Sequence, residues 1–429
     1  MPNFVSLPGF RDFYPADLAV RAYIMGVWRD VARRYGFEEY DGPPLEATDL
    51  YIEKSGPEIV QQLYNFTDKG GREIALRPEI TPTLARMVGA RAGGMRKPIR
   101  WFAIPQVFRY ERAQRGRLRE HFQLNLDIVG DEGVGSDAEL LAAAIDTLRA
   151  FGLTETDFVA RVSDRRLLRA LLVHAGVPED QLVLVYNIVD KLERDPAEVV
   201  GRRLAEEAGL SEDAVAAVLA IFERSDFESV RETYGAVESI GEHVSRMNEL
   251  LSSLDAMGLG AYVRFDLGIV RGLAYYTGMV FEIFDSRREL RAIAGGGRYD
   301  DLLRVVSGTD LPALGFGMGD VVLRELLTDR GLLPDLARSV DYYVIGVGPE
   351  QRTDVLRIVH QLRDLGHAVD HGLRAQGVGK QLKGAAAVNA VRAVIVGPDE
   401  LAEGRAVVRT MATGEEERIA IDALGTAEG

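Results

Sequence analysis

The sequence contains no cysteine, and it has only six histidines and two tryptophans among its 429 residues. Without cysteine the chain cannot form a disulfide, use a thiolate as a nucleophile or hold zinc through sulfur. It also lacks an apolar run of the length that a membrane helix requires, so we expect no membrane span. The remainder, with 47% hydrophobic and 27% charged residues, is typical of an ordinary globular protein.

Motifs of several common folds are missing as well. The histidines form no helical pair with a carboxylate as third ligand, so we expect no metal site. No nucleophile elbow or serine–histidine triad occurs. Three glycine-rich stretches, at 295–300, 315–319 and 372–380, have neither the dinucleotide-binding nor the P-loop spacing. Glycines within strands instead suggest that a flat ligand closely approaches the backbone.

The overall charge and length set further bounds. A net charge of −15 argues against a protein that coats nucleic acid indiscriminately, although a local basic face can still bind phosphates. At roughly 150 residues per domain the length predicts about three units. The first residues contain no basic, serine-rich or apolar leader, and residues 8–15 already look like folded protein. We therefore expect a cytoplasmic protein.

Hydrophobic periodicity predicts an α+β architecture for the first part of the chain. Apolar residues at helical spacing predict a helix over residues 21–35. Strand-like sequence follows at 73–77, and the β-branched and aromatic residues between 99 and 129 predict an antiparallel hairpin with a long polar tip. An alanine- and leucine-rich helix is predicted over residues 137–151.

The rest of the chain changes character twice. Residues from about 165 to 250 are mostly helical in pattern, with few chemical motifs, and are interpreted as an inserted helical module. Strand-rich sequence returns at 261–298, and a plausible linker follows at 331–340. Short strands then alternate with helices over residues 341–425, a pattern that predicts a separate small α/β domain.

The densest positive charge lies at the tip of the predicted hairpin. Residues 109–119 hold five arginines against one glutamate. A solvated basic loop would explain this composition, but so would a clamp for phosphates, because the planar guanidinium meets an oxyanion bidentately and keeps its charge. A second candidate is Arg271, which precedes Gly272 in otherwise apolar sequence. Burying such an arginine is costly unless an internal carboxylate or a bound anion meets it.

Taken together, these segments resemble the histidyl-tRNA synthetase family over almost the whole chain. Residues 108–130 resemble class II motif 2 in its histidine-specific form, and residues 271–276 resemble the histidine signature of the family. Residues 36–44 are similar to motif 1, and residues 76–81 to the substrate loop. Residues 376–383, within their α/β pattern, resemble the anticodon-binding domain.

The resemblance implies a fold and a set of partners. The expected fold is a class II antiparallel sheet of six or seven strands flanked by helices, within a catalytic domain of residues 1–330 that carries the helical insertion. A separate anticodon-binding α/β domain is expected over residues 341–425. The implied activity is histidine–tRNA ligation with ATP and Mg²⁺ as its complex, and the implied partners are L-histidine, tRNA(His) and a second copy in a homodimer.

The resemblance also assigns residues. Arg109 and Arg271 would be catalytic, on opposite sides of the α-phosphate, because nucleotidyl transfer depends on positioning and electrostatic stabilisation. The ATP-binding residues would be Arg109, Glu111, Arg112, Gly297 and Arg298. The histidine-binding residues would be Glu79, Thr81, Gln123, Asp127, Arg271, Tyr275 and Tyr276. The tRNA-binding residues would be Arg115, Arg117, Lys380 and Lys383.

Several positions depart from the family pattern. Asp127 stands where glutamate is usual, Ala274 where aspartate is common, and Ile80 replaces a glycine. The arginine of motif 3 is missing, since Val322 follows the run Gly315-Phe316-Gly317-Met318-Gly319-Asp320-Val321 at its place. We expect Arg112 or Arg298 to compensate for it at the ATP tail.

Two rival interpretations remain open at this point. A non-catalytic paralog, the regulatory subunit of ATP phosphoribosyltransferase, shares the catalytic fold and would bind histidine as a signal. The arginines at 109 and 271 and the extra domain over 341–425 favour the enzyme, while Val322 favours the paralog. A class II synthetase for glycine, threonine or proline is the other rival, and the signature at 271–276 speaks against it.

Overall fold

The computed structural model describes residues 4–112, 114, 116–192, 195–223, 226–269 and 276–426. The chain divides into two compact units. The first consists of residues 1–13 and 20–333, and the second of residues 14–19 and 334–429. Within the described part of the chain, none of the helices is both long and apolar enough to cross a membrane.

The first unit contains both strands and helices throughout its length. Its described strands are β1 (Glu38–Glu39), β2 (Leu45–Ala47), β3 (Tyr64–Thr67), β4 (Glu73–Leu76), β5 (Ile99–Ala103), β6 (Gln106–Phe108), β7 (Glu120–Val129), β8 (Phe158–Asp164), β9 (Val263–Phe265), β10 (Met279–Asp285), β11 (Ala294–Arg298) and β12 (Ala313–Gly319). Its described helices are α1 (Pro15–Arg34, of which residues 20–34 belong to this unit), α2 (Thr48–Ser55), α3 (Thr81–Gly89), α4 (Val134–Arg149), α5 (Arg165–His174), α6 (Leu182–Val189), α7 (Ala197–Glu206), α8 (Glu212–Glu223), α9 (Phe227–Tyr234), α10 (Glu238–Ala256), α11 (Leu302–Ser307) and α12 (Asp320–Asp329).

A large sheet forms the centre of this unit, with the strand order β1-β5-β7-β12-β11-β10-β8-β9 and with β6 paired to β7. All pairs from β5 through to β8 are antiparallel. This part confirms the predicted antiparallel class II sheet. The two edge pairs, β1 with β5 and β8 with β9, are parallel, which the sequence did not predict. Strands β2, β4 and β3 form a separate small sheet.

Strand β7 lies in the middle of the large sheet. One of its faces contributes to the hydrophobic core, and the other carries polar side chains. Successive side chains of a strand point to opposite faces. On one face Leu124, Leu126 and Ile128 are buried in the main hydrophobic core. Gln123, like every second residue along the strand, lies on the other face. The alternation in the sequence thus places a row of polar side chains opposite a packed apolar layer.

Helix α4 supplies the other half of that core. Its buried residues include Leu141, Ala144 and Leu148, which belong to the same core as the apolar face of β7. Burying one such leucine contributes roughly 1.5–3 kcal/mol. A rigid, well-packed layer therefore stands behind the polar face of the sheet.

The helical segment predicted for about 165 to 250 comprises α5 to α10. It begins with a helix cap, because the Asp164 side chain accepts hydrogen bonds from the backbone N–H groups of Arg166 and Leu167. Its apolar residues, such as Leu171 and Leu250, belong to the same core as the sheet. The helices are therefore packed onto the first unit rather than forming a core of their own.

The second unit is a small α/β fold with a mixed sheet. Its strands are β13 (Val340–Gly346), β14 (Val369–His371), β15 (Ala390–Val396), β16 (Arg405–Thr410) and β17 (Glu416–Ala420), and its helices are α13 (Arg352–Asp364), α14 (Val378–Ala387) and α15 (Pro398–Ala402). The order is β14-β13-β15-β16-β17. β13 pairs in parallel with β14 and β15, whereas β16 joins β15 and β17 in antiparallel pairs. The two last strands were not predicted.

Candidate active site

A cavity of about 820 Å³ opens on the polar face of the central sheet. It is lined by residues of strands β7, β10, β11 and β12, by the first residues of α12, and by Arg109, Glu111 and residues 116–118. Its size is within the range of sites that bind small molecules and cofactors. The cavity therefore brings the motif 2 segment of the sequence against the glycine-rich strands.

Cationic side chains line one part of the cavity. Arg109 lies there with its Nε donating a hydrogen bond to the carbonyl of Pro78 at 3.1 Å. Arg117 forms an ion pair with Glu111, and Arg119 donates from its Nε to the Glu111 carbonyl at 3.0 Å. The backbone N–H of Arg109 also bonds the Arg119 carbonyl at 2.9 Å. These bonds hold the predicted ATP-binding residues Arg109 and Glu111 next to Arg117 and Arg119. This is expected if the two pairs belong to opposite arms of one hairpin.

Asp127 is a carboxylate buried beneath the polar face, with 1% of its surface exposed. Its Oδ1 accepts a hydrogen bond from the hydroxyl of Tyr299. Its Oδ2 is buried and has no hydrogen-bond partner among the residues that the structure describes. Burial raises the pKa of Asp127 to about 7, against the lowering effect of the Tyr299 hydrogen bond and of Lys54. A buried acceptor without a partner is costly, and such groups mark ligand sites.

Glycines in β12 make room for these polar side chains. A Cβ atom on Gly315 would lie 2.5 Å from the Tyr299 hydroxyl and would also clash with Asp127. A Cβ atom on Gly317 would lie 2.5 Å from Gln123 Nε2. Glycines within strands predicted the close approach of a flat ligand, but at these two positions the protein's own side chains take the space.

Three residues at the start of β7 form a hydrogen-bonded chain. His121 Nε2 lies 3.2 Å from Gln123 Oε1, and Gln123 Nε2 donates to Asn125 Oδ1 at 2.9 Å. Burial, together with the positive charge of Arg109, lowers the pKa of His121 to about 4, so its ring is neutral at pH 7. The neutral ring can donate to Gln123 and thereby fixes the orientation of the predicted histidine-binding glutamine.

The predicted ammonium receptor Glu79 is paired with a lysine inside the protein. Lys54, from α2, donates a hydrogen bond to Glu79 Oε2. Burial alone would raise the pKa of Glu79, but Lys54 and Arg109 outweigh it and hold the pKa below its usual value. Glu79 is therefore a carboxylate at neutral pH. The second predicted ammonium ligand, Thr81, is buried at the first residue of α3.

Tyr276 lies near the carboxylates of this region. Burial raises the pKa of its phenol, and the neighbouring charges of Glu79, Glu282 and Asp127 raise it further. Its ring also occupies the space beside Gly297, since a Cβ atom there would lie 3.0 Å from Tyr276 Cδ1. The structure thus gathers Glu79, Asp127 and Tyr276, three predicted histidine-binding residues from distant parts of the chain.

Arg298, a predicted ATP ligand, lies inside the core instead. Its side chain is fully buried and forms ion pairs with Asp137 at 2.9 Å and with Asp300 at 3.3 Å. It also donates to the carbonyls of Asp131 and Gly133. With its guanidinium held by carboxylates and carbonyls, Arg298 is not available to an anion in the cavity. It does not line that cavity, and we no longer assign it to ATP.

The remaining predicted residues are dispersed or not described. Arg112 is exposed and does not line the cavity, so neither of the two arginines expected to replace the motif 3 arginine is placed to do so. Lys380 and Lys383 are exposed on α14 of the second unit. The predictions for three further residues lie outside the described part of the chain: Arg115, Arg271 and Tyr275.

The start of α12 is apolar toward the cavity. Val321 and Val322 both line it, at the place where motif 3 would supply an arginine. Asp320, the first residue of the helix, is held away by Arg11, whose Nη1 lies 2.8 Å from Asp320 Oδ2. Burial raises the pKa of Asp320 although Arg11 opposes this effect. The missing motif 3 charge is therefore not restored by the neighbouring residues of α12.

Sequence reasoning missed four residues of this region: Lys54, His121, Tyr299 and Arg291. His121 could have been found, because it is two residues before Gln123 and so shares its face of β7. Lys54 and Tyr299 act through partners far away in the chain, Glu79 and Asp127. No local pattern identifies such pairs.

The antiparallel sheet and its cavity define the fold of a class II aminoacyl-tRNA synthetase. The chain is similar along its whole length to the crystal structure of histidyl-tRNA synthetase from Nostoc sp. PCC 7120, with a TM-score of 0.83, 24% identity and 99% of each chain covered. This likeness establishes the fold.

Two family models match the sequence. The histidyl-tRNA synthetase model matches residues 9–320, and the anticodon binding domain model matches residues 341–427. The histidine–tRNA ligase of Opitutus terrae is 46% identical over 97% of this chain and 96% of the relative. The chloroplastic/mitochondrial histidine–tRNA ligase of Arabidopsis thaliana is 41% identical over 97% of this chain and 85% of the relative. The chain belongs to the histidyl-tRNA synthetase family, which confirms the resemblance inferred from the motifs.

Proposed function

We propose that this protein activates L-histidine with ATP and joins it to the 3′ end of tRNA(His). The observation that carries the proposal is the buried Asp127, whose Oδ2 has no hydrogen-bond partner among the described residues. An imidazole N–H is a suitable donor for it, and Tyr276 is its neighbour. A site that pairs the ring nitrogens of its substrate rejects analogues without them by about 10⁴ or more.

The first step forms histidyl-adenylate. A carboxylate oxygen of histidine attacks the α-phosphorus of ATP, and the bond from that phosphorus to the pyrophosphate oxygen breaks. Arg109 and Arg271 neutralise the charge that develops on the α-phosphate, and Glu111 orients the adenine amine. Fixed charges of this kind stabilise the transition state because they need no reorganisation during the reaction.

The second step transfers histidine to RNA. A hydroxyl of the 3′-terminal ribose attacks the carbonyl carbon of the adenylate, its proton goes to solvent or phosphate, and AMP leaves. Arg115, Arg117, Lys380 and Lys383 are the proposed RNA contacts. The last two belong to the unit whose sequence matches the anticodon binding domain.

Histidine is held by both of its ends. Glu79 and Thr81 receive its ammonium group, and Gln123, Asp127, Tyr275 and Tyr276 surround its ring. Lys54 keeps Glu79 ionised, as an ammonium receptor must be. The chain of hydrogen bonds from His121 to Gln123 fixes the glutamine before the substrate arrives, which reduces the entropy cost of binding.

ATP is proposed to bind as its Mg²⁺ complex. An ion of this kind takes one or two carboxylates from the protein and its remaining ligands from phosphates and water. Glu282 is a carboxylate that lines the cavity, so the residues present fit the complex.

We also propose a homodimer, with a catalytic domain over residues 1–330 and an anticodon-binding domain over 341–425. The cytoplasmic location stays a prediction.

A second candidate function is that of a histidine-binding regulatory subunit, and Val322 is the observation that favours it. The match of residues 341–427 to an anticodon binding domain supports the ligase instead. So does the coverage of the two ligase relatives, each aligned over 97% of this chain.

Charging of RNA separates these functions. Purified protein would be incubated with ATP, labelled histidine and tRNA(His), and the label in precipitated RNA would be counted. The ligase yields label that depends on ATP and on this RNA, and a noncognate tRNA serves as the control. A protein that binds histidine in equilibrium dialysis but never labels the RNA would be the regulatory subunit.

A further inference from the structure

The start of α12 contributes no cationic side chain to the cavity. Val321 and Val322 line the cavity there. The β- and γ-phosphates of ATP carry most of its charge, and proteins hold such groups with arginine or lysine. Of the replacements expected from the sequence, Arg298 is buried in ion pairs, and Arg112 does not line the cavity. Another residue must meet the phosphates if ATP is bound.

Arg291, from the segment between β10 and β11, stands beside the substituted position. A Cβ atom on Gly116 would lie 3.6 Å from Arg291 Cδ and 3.7 Å from Val322 Cγ2. The aliphatic part of the Arg291 side chain and the side chain of Val322 therefore both lie next to Gly116 in the motif 2 segment. Both residues line the cavity. A guanidinium at this position can reach the space that a longer side chain at 322 would enter.

Two further arginines of the cavity lie near Arg291 and favour an anion, while Glu289 and Glu325 line a smaller pocket beside it. Arg291 is exposed and has no ion-pair partner in the described part of the chain. Burial lowers the pKa of Arg117, and the charges of Arg291 and Arg109 lower it further. Three guanidinium groups thus influence one another across the cavity, and Glu111 is paired with only one of them, Arg117. An anion placed among them would relieve this repulsion.

We propose that Arg291 binds the β- and γ-phosphates of ATP and so replaces the arginine that motif 3 lacks. The inference rests on the proposed function, since it assigns a residue to the ATP tail of that reaction. Arg291 enters from the loop before β11, whereas a motif 3 residue would enter from α12. The charge is therefore conserved in space although its position in the sequence has moved.

Arg288 provides a matched control within the same loop. It also lines the cavity and is exposed. Unlike Arg291, it has no atom among those nearest to a Cβ atom on Gly116. Removing either arginine changes the net charge equally, so a general loss of positive potential would affect both variants alike.

The test begins with the affinities of ATP and AMP for wild-type protein, Arg291→Ala and Arg288→Ala. Losing a hydrogen bond between charged groups weakens binding about 10- to 100-fold. We expect Arg291→Ala to weaken ATP by that factor and to change AMP less than about twofold, because AMP has no β- or γ-phosphate. Arg288→Ala should leave both within about twofold. An unchanged ATP affinity in Arg291→Ala, or equal losses of ATP and AMP, would overturn the proposal.

A rescue variant gives an independent test in the exchange of pyrophosphate into ATP. Arg291→Ala should raise the KM for ATP and leave the KM for histidine unchanged. The double variant Arg291→Ala with Val322→Arg carries a positive charge on α12 instead. It should recover most of the ATP affinity, which a double-mutant cycle would measure. If the wild-type protein makes no adenylate, the proposed function fails, while the comparison of ATP with AMP still decides the role of Arg291.

Discussion

The hydroxyl of Tyr299 donates a hydrogen bond to Oδ1 of Asp127, and both side chains are at least 98% buried. This contact joins the residue that follows β11 to the last third of β7. It fixes the carboxylate, whose Oδ2 is buried and has no partner among the described residues. We propose that the specificity for histidine depends on this oxygen.

Asp127→Asn should reduce histidine binding. The amide has the same shape but carries no charge, so the hydrogen bond that Asp127 accepts from the imidazole loses its charge assistance, which corresponds to about 10-fold in KM for histidine. The KM for ATP should stay within about twofold, because Asp127 does not line the cavity that holds Arg109, Glu111 and Arg117. Steady-state pyrophosphate exchange measures both constants. Equal increases in the two KM values would indicate general damage and contradict the assignment.

Tyr299→Phe is the matched control for this variant. It removes only the hydroxyl that orients Asp127 and keeps the ring in the core. We expect a smaller rise in the KM for histidine than in Asp127→Asn, since the carboxylate itself remains. A larger effect from Tyr299→Phe would mean that the tyrosine, rather than the aspartate, recognises the substrate.

The raised pKa of Asp127 also predicts a dependence of stability on pH. In the unfolded chain this carboxyl ionises near pH 4, whereas in the folded protein its pKa is about 7. The group therefore favours folding below pH 4, and this contribution is lost as the pH rises through 7, by up to about 4 kcal/mol. Asp127→Asn lacks the titration, so relative to wild type it should gain stability between pH 5 and pH 8.

Urea unfolding of the wild type and of Asp127→Asn at pH 5 and pH 8 measures this difference. Other groups titrate equally in both proteins and cancel in the comparison. A stability difference between the two proteins that is the same at both pH values would show that Asp127 does not retain its proton in the folded state.

The polar face of β7 illustrates what the sequence could predict. The spacing of Gln123 and Asp127 placed both on one face of a strand, and the structure has that strand at the centre of the antiparallel sheet. Local periodicity determines such features. The parallel edge pairs of the sheet could not be predicted, because β1 and β9 are only two and three residues long and their pairing depends on tertiary contacts.

Arg298 shows where prediction from motifs is insufficient. Its neighbours in the sequence resemble a ligand-binding loop, but its guanidinium meets Asp137, which lies 161 positions earlier. Whether an arginine binds a ligand or an internal carboxylate is decided by such distant partners. For the same reason, Lys54 and Tyr299 were not predicted as site residues. Arg291 was not predicted either, because its proximity to Val322 is visible only in the folded structure.

Arg298→Met should destabilise the protein without specifically weakening ATP. Removing one partner of a buried ion pair leaves an uncompensated charge and costs about 3–5 kcal/mol. Arg298→Met combined with Asp137→Leu should recover part of this loss, because both charges are then removed. Thermal unfolding and the KM for ATP would be measured on the same samples. A normal stability with a raised KM for ATP would return Arg298 to the ATP site.

The ion pair between Lys54 and Glu79 allows stability and binding to be separated. Glu79→Gln removes a carboxylate partner from a largely buried lysine and should cost about 2–4 kcal/mol of stability. Glu79→Gln with Lys54→Met should regain most of that stability, since the lysine charge is absent too. The KM for histidine should stay raised in both variants, because neither can hold the ammonium group. Normal histidine binding by the double variant would remove Glu79 from the proposed site.

The most direct test of the whole account is histidine-dependent exchange of labelled pyrophosphate into ATP, with purified protein and no RNA. We predict exchange that requires histidine, is lost in Arg109→Ala and proceeds although Val322 replaces the motif 3 arginine. Binding of histidine without any exchange would contradict the assignment of a ligase and would identify a protein that senses histidine instead.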